Sequence, residues 1–258
     1  MIRVAVGAGT IDANVFNFKK EIAKRESFYL EALRLNICDF DTARSYYSGY
    51  AERTLGSAIK ASKTARRKFE VETKVGGITN HAPIPINHLL VNSRVIQKYQ
   101  FVSKRVVDGF DSWVKPSKIP RLLTDSLRRL NLDYVDTYYL HNHGQLMEYE
   151  LYVEVLQKLQ GLGMTKSIGV SIDHKTDLSI TWCDKIQIPL ALIDEFPNFQ
   201  GGIVVNQIFS GNNGSLKDIL EKIKGDPRII KVVLGTKKFD RIAKFQTELK
   251  KQEKDNGD

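Results

Sequence analysis

Four side chains in this sequence have the types that move protons: Asp41, Tyr46, Lys74 and His141. A free tyrosine has a pKa near ~10, too high for easy proton exchange at neutral pH. A nearby ammonium stabilises the phenolate and lowers that value. An aspartate beside the lysine keeps it charged and aimed. A histidine donates a hydrogen bond to a substrate oxygen and stabilises developing negative charge. Together the four suit proton delivery to a carbonyl oxygen while another species attacks the carbon. Each also has a plainer role: Asp41 as a helix N-cap, His141 as a satisfied core histidine, Lys74 as a lysine snorkelling to the surface.

These residues need elements to hold them. Candidate strands are residues 2–6, 36–41, 69–75, 134–140, 166–171, 185–193, 203–209 and 230–235, several rich in Val, Ile, Phe and Tyr. Helical patterns lie between them. "NVFNFKKEIAKRESFYLEALRL" spreads Phe16, Ile22, Phe28, Leu30 and Leu33 in a helical pattern. "SKIPRLLTDSLRRL" opens near Pro120, "EYELYVEVLQKLQGLG" ends at Gly161 and Gly163, and "SLKDILEKIKGD" starts after Ser215 as N-cap and stops at Gly225. Parallel neighbours need crossovers, and eight is the number of strands that closes a (β/α)8 barrel. The expectation is one α/β barrel domain over 1–258, with a long excursion at 76–116 and a polar tail at 250–258. "DEFPNFQGG" is too short for a full helix between the sixth and seventh strands. In such a barrel, function sits where strands end. Asp41, Lys74, His141 and Ser171 fit that rule, and Gln187, early in its strand, fits it less well.

Bulk properties narrow the class. The chain has 258 residues, 42% hydrophobic and 27% charged, an ordinary globular balance. No apolar run approaches the ~20 residues of a membrane span, and "MIRVAVGAGT" lacks the pattern of a signal peptide, so a soluble cytoplasmic protein is expected. Cys38 and Cys183 stand far apart, which argues against zinc and a disulfide framework and for two small buried residues; no metal is expected. Net charge is +9, and residues 217–254 hold twelve Lys/Arg against six Asp/Glu. That excess reads as a solvated basic helix or as attraction for a phosphorylated ligand. No motif supports nucleic acid.

The motifs resemble those of the aldo-keto reductases. "FDTARSYYSGYAERTLGSAI" is similar to the family pattern Asp-Thr-Ala, two residues, Tyr, two residues, Gly, two residues, Glu. "VETKVGG" resembles the strand with the family's lysine, and "SLRRLNLDYVDTYYLHNH" the segment leading to its histidine. "GLGMTKSIGVS" and "IKVVLGT" resemble later strands, so the likeness runs through nearly the whole chain in order. The resemblance implies a (β/α)8 barrel using NADPH or NADP, with NADH possible, for hydride transfer between nicotinamide and a carbonyl or alcohol. It implies Tyr46 as general acid/base, with Asp41, Lys74 and His141 completing a tetrad. The steps from Asp41 and to Gly49 single out Tyr46 over Tyr47. Ser171 and Gln187 match positions that bond the nicotinamide amide. Gly7, Gly9 and Thr10 match a Gly-x-Gly-Thr bordering the cofactor. Thr236, Lys237, Lys238 and Arg241 fall where the adenosine phosphate is commonly held, which favours NADPH.

"FDSWVKPSKIPRLLTDSLRRL" and "KIQIPLALID" look like sugar-oxidising and polysaccharide-cluster members, implying a small carbonyl or sugar-like substrate. The chain departs from the family in several places, among them the lost helix after strand six, the short polar C-terminal tail and Gly235-Thr236 where many members have Lys-Ser. Ile172 replaces the usual Asn after the strand-five serine. Asn206 stands where an aromatic or Arg often stacks on nicotinamide. The chain also starts almost directly on strand one, with no plugging hairpin. Two alternatives follow: a catalytically weak nucleotide-binding sensor or scaffold, and a lyase using Lys74 as a Schiff-base amine. Against the lyase, Asp41 should keep Lys74 protonated. The oligomeric state stays open.

Overall fold

Alternating runs of β-branched and aromatic residues form eight strands: β1 (Arg3–Gly7), β2 (Asp39–Asp41), β3 (Glu70–Gly76), β4 (Val135–His141), β5 (Thr165–Ser171), β6 (Lys185–Pro189), β7 (Gly202–Asn206) and β8 (Ile229–Leu234). They pair in sequence order, all parallel, and β1 closes on β8 with Val6 opposite Leu234. The computed structural model describes residues 2–9, 17–76, 114–141, 149–173, 180–210 and 214–254. Thr10, and the expected excursion at 76–116 except for Gly76 and residues 114–116, lie outside them.

Six helices are described: α1 (Phe18–Arg34), α2 (Tyr50–Ser62), α3 (Ile119–Leu130), α4 (Tyr149–Gly161), α5 (Leu216–Gly225) and α6 (Phe239–Lys254). Their limits follow local chemistry. Pro120 sits in the first turn of α3, and Asn131 closes it in the left-handed conformation at φ 54°. Ser215 caps α5 in a reciprocal box with Asp218. Each helix lays an apolar stripe on the outer sheet face. For α3 that stripe is Ile119, Leu123, Leu127 and Leu130.

The expected strand at 185–193 stops at Pro189, which has no N–H to donate to a ladder. A 3-10 turn, Leu190–Glu195, takes the place of a crossover helix and buries Leu190 and Ile193. Arg228 ties this short crossover down, its Nη1 donating to the carbonyls of Phe196 at 2.6 Å and Pro197 at 2.9 Å. The seventh strand ends at Asn206, because Gln207 turns left-handed at φ 47°. Cys183 is buried as expected, but Cys38 is only half-buried.

Charges from five strands meet inside the barrel. Lys231 of β8 reaches across to β3, its Nζ 2.8 Å from Glu72 Oε1 and 3.0 Å from Glu70 Oε2. Lys185 Nζ donates to Thr137 Oγ1 at 2.8 Å and stands 3.6 Å from Glu72, while Tyr139 donates its hydroxyl to Glu72 Oε2 at 3.2 Å. Arg3 closes the floor on Asp39 and Glu70. Burial alone would raise Glu72, but Lys231 and Lys185 more than offset it and hold the carboxyl below its usual range. Two residues on from Arg3 and Lys231 along the same strands, Ala5 and Val233 join Val204 in a small apolar cluster.

Removing one partner of a buried ion pair strands the other charge. Lys231→Met should therefore lower unfolding free energy by roughly 3–5 kcal/mol in urea titrations. Lys217→Met, on the exposed face of α5, should stay within about 0.5 kcal/mol. Equal midpoints for the two variants would contradict this role for the ionic floor.

Candidate active site

β2 and β3 lie side by side and end at Asp41 and just past Lys74. Lys74 Nζ donates to Asp41 Oδ1 at 2.6 Å and to the Thr42 carbonyl at 2.9 Å. It stands 5.3 Å from the centroid of the Tyr46 ring. That ring meets His141, the last residue of β4, edge to face at 5.8 Å and 84°. Ser45 Oγ lies 3.4 Å from His141 Nδ1. The four residues singled out in the sequence thus come together at one end of the barrel.

Tyr46 opens a tight turn, Tyr46–Gly49. Tyr47 (φ 51°), Ser48 (φ 53°) and Gly49 (φ 84°) follow in the left-handed region. Two non-glycine residues there cost on the order of 1–2 kcal/mol each, so the turn must be held from outside. Arg129 of α3 packs over Gly49, where an added Cβ would stand 2.9 Å from its Nε. Its Nη1 donates to Glu52 Oε2 at 3.0 Å, and Thr73 Oγ1 donates to Glu52 Oε1 at 2.8 Å. Glu52 is fully buried. One ionic clamp therefore joins the Tyr46 turn, α2 and α3 to the strand that carries Lys74.

Burial alone would lower the Lys74 ammonium, but Asp41 and then Tyr46 raise it, so it stays charged. Burial pushes the Asp41 carboxyl up, and Lys74 and Gln187 pull it back. The sequence pointed to a lysine-lowered Tyr46, but its phenol is raised above its ordinary value. Burial is the larger effect, and the Lys74 charge and hydrogen bond offset only part of it. Burial, helped by Lys74, pushes His141 down to about 3.

Gln187 fits the site better than its early strand position suggested. It donates Nε2 to Asp41 Oδ1 at 2.7 Å and accepts from Ser171 Oγ at 2.8 Å. The two residues expected to bond a nicotinamide amide are thus wired to each other and to Asp41. Ile172 is buried in the core.

A cleft of ≈ 760 Å³ runs from this group past the ends of β1, β7 and β8. Gly7, Gly9, Asp41, Tyr46 and Asn206 line one part of it; Thr236, Arg241 and Lys244 line it further along. A Cβ on Gly9 would already touch the Tyr46 ring at 3.4 Å, and one on Gly7 would press Val233 at 3.2 Å. Asn206 Oδ1 is buried and has no hydrogen-bond partner among the described residues, which suits a ligand that brings its own donor. Lys238 N donates to Thr236 Oγ1 at 3.2 Å, and the exposed Lys237 and Lys238 flank this end without lining it. Glycines beside the phenol, an orphaned amide oxygen and cations beyond fit a long ligand with a phosphate at one end.

Sequence reasoning missed Phe209, Lys244 and Phe245 along this cleft, and Arg25 behind it. Phe209 is 66% exposed and meets Phe245 edge to face at 6.4 Å. Its place as the last residue of the expected strand 203–209, where function sits in such a barrel, was the available signal. Among the described residues no group of three or more His, Cys, Asp or Glu is placed to hold a metal, and no helix is long and apolar enough to cross a membrane.

The family model described as Aldo/keto reductase family matches residues 4–191. L-galactose dehydrogenase of Arabidopsis thaliana is 30% identical over 144 residues, covering 55% of this chain and 36% of that protein. NADH-specific methylglyoxal reductase of Escherichia coli (strain K12) is 30% identical over 172 residues, covering 64% and 47%. The matches thus span under half the length of these two relatives. Among solved structures, an aldo-keto reductase from Bacillus halodurans in its holo form superposes with a TM-score of 0.63 at 17% identity, over 94% of this chain and 85% of that one. One from Klebsiella pneumoniae in complex with NADPH gives 0.61 at 17% identity, over 96% and 85%. At such identity these structures establish the shared fold.

The low value for His141 means a neutral ring at every physiological pH. NMR of its imidazole, assigned by difference from His141→Ala, should show no titration between pH 5 and pH 8. A midpoint near the ordinary 6.5 would contradict the buried, lysine-facing environment.

Proposed function

Because the chain belongs to the aldo/keto reductase family, we propose that it is an NAD(P)H-dependent oxidoreductase acting on a carbonyl/alcohol pair, with Tyr46 as general acid/base. The observation that carries this reading is the buried Lys74–Asp41 pair, 2.6 Å between Nζ and Oδ1, set directly against the Tyr46 ring.

Bound in the cleft, the reduced nicotinamide would supply a hydride to the carbonyl carbon. Tyr46 holds its proton through the neutral range, because burial raises it, and gives that proton to the carbonyl oxygen. The Lys74 ammonium stabilises the phenolate left behind, and Asp41 fixes the ammonium in place. His141 is neutral. A Ser45 hydroxyl donating to its Nδ1 leaves the ring proton on Nε2, able to donate to the substrate oxygen. Gly7, Gly9, Ser171, Gln187 and Asn206 would hold the nicotinamide end. Thr236, Arg241 and Lys244 would hold the adenosine end, with Lys237 and Lys238 adding positive charge at its rim.

Those cations favour NADPH over NADH, although one relative is named as NADH-specific. The names of the relatives, a galactose dehydrogenase and a methylglyoxal reductase, support a small aldehyde or sugar-like substrate.

Tyr46→Phe should lower kcat for NADPH-dependent reduction of a reactive aldehyde by about 10²–10⁴, the scale of lost general acid catalysis, and leave the Kd for NADPH unchanged. Tyr47→Phe should be mild. Because the acid must be protonated, wild-type reduction should hold steady through neutral pH and fall only in the alkaline range. Reversed effects of the two substitutions would rule out Tyr46 as the acid. No NADPH or NADH binding at saturation would rule out the whole reading.

A further inference from the structure

Arg25 is the one buried charged residue of α1, at 3% exposed. Its guanidinium stands 4.7 Å from the ring centroids of both Phe28 and Tyr29. Its donors go to three oxygens: Nη2 to the Gly7 carbonyl at 2.6 Å, Nη1 to the Thr236 carbonyl at 2.9 Å and Nε to the Tyr29 hydroxyl at 2.9 Å. Gly7 ends β1, and Thr236 follows the end of β8. The last registered pair of these strands is Val6 with Leu234. Beyond it the two strands form no further registered pair, and both Gly7 and Thr236 line the cleft. Arg25 therefore bridges the strands at the point where their own ladder stops.

The same cluster reaches α6. Phe28 stacks on Phe239, the first residue of that helix, at 4.3 Å and 15° between ring planes. Thr236, held by Arg25 through its carbonyl, accepts from Lys238 N through its hydroxyl. Arg241 and Lys244 follow in the first turns of α6 and line the cleft. An arginine fork can hold two carbonyls at a fixed spacing, which a lysine point charge cannot.

We propose that Arg25 is a positioning residue for a phosphate-bearing dinucleotide: it staples the ends of β1 and β8 and seats the start of α6 that carries Arg241 and Lys244. This rests on the reading of the cleft as a dinucleotide site. Arg25 touches no ligand itself. Its effect passes through the spacing of Gly7 and Thr236, and through a positive charge set behind them.

The test is a fluorescence or calorimetric titration of the full chain with NADPH and with adenosine 2′,5′-bisphosphate, which lacks the nicotinamide. Arg25→Met and Arg25→Lys are compared with wild type, with circular dichroism and Tm recorded for each. Arg25→Met should weaken both ligands by about tenfold or more, the scale of losing hydrogen bonds from a charged group. Arg25→Lys should fall between, because it restores charge but not the fork. At saturating NADPH the KM for aldehyde should not move. Phe28→Leu, which keeps Arg25 and loosens its seat, provides a milder variant should Arg25→Met fail to fold, and should weaken both ligands in the same direction. A folded Arg25→Met that binds both ligands as wild type does overturns the proposal and leaves the reductase reading standing. So does a Phe28→Leu with wild-type affinities. A wild type that binds neither ligand overturns both.

Discussion

Taking an ammonium and a carboxylate out of water costs several kcal/mol per ion unless every charge is met. Lys74 and Asp41 are both buried, and both are met: Lys74 by Asp41 and the Thr42 carbonyl, Asp41 by Lys74 and the Gln187 amide. Only a closed barrel can do this. Gln187 on β6 reaches Asp41 on β2 because the two strands face each other across the interior. Beneath the pair, Glu72, Lys231, Lys185, Glu70, Asp39 and Arg3 continue the charge pairing down to the floor. The low dielectric that makes an unpaired ion costly also strengthens each satisfied contact, so the reactive end rests on a rigid ionic stack.

Everything near Tyr46 acts on its relation to that pair. Tyr46 opens a turn whose next three residues are left-handed, and the Glu52–Arg129–Thr73 clamp holds that strained turn. The electrostatic outcome is a contest between burial and the lysine. Burial wins at the phenol, so the hydroxyl keeps its proton; Asp41 and Tyr46 win at Lys74, so the ammonium keeps its charge. On the proposed reading, a protonated phenol beside a fixed cation is the form able to give a proton to a carbonyl oxygen.

Much of this was legible in the chain. β-branched runs alternating with amphipathic helices carry the barrel, and the Asp41-to-Glu52 motif with Lys74 and His141 carries the four-residue site. Other features were hidden for identifiable reasons. Periodicity alone extends β6 through Leu190 and Ile193, whose side chains are buried in a 3-10 turn; only the missing N–H of Pro189 marks the end. Gln187 looked too early in its strand because its partner is on the opposite wall. Arg25 reads as one more helix charge in "FKKEIAKRES", and nothing local says that it alone turns inward. The sign of the Tyr46 shift depends on depth of burial, which neighbouring residue types do not encode.

The interior also changes character along its length. Lys231 of β8 and Arg3 of β1 reach Glu72, Glu70 and Asp39 low in the barrel, while Gln187 meets Asp41 higher up. Ala5, Val204 and Val233 are too short to cross. The strands β1, β7 and β8 end at Gly7, Asn206 and Leu234, and the cleft lies past these ends, with Tyr46 at its edge. A larger residue at Gly7 would press Val233, and one at Gly9 would meet the phenol itself, so filling this space would close the site from the cofactor side. Tyr46 lines the cleft and also stands over the Lys74 ammonium, so it is the point where the buried ion pair and the open space meet.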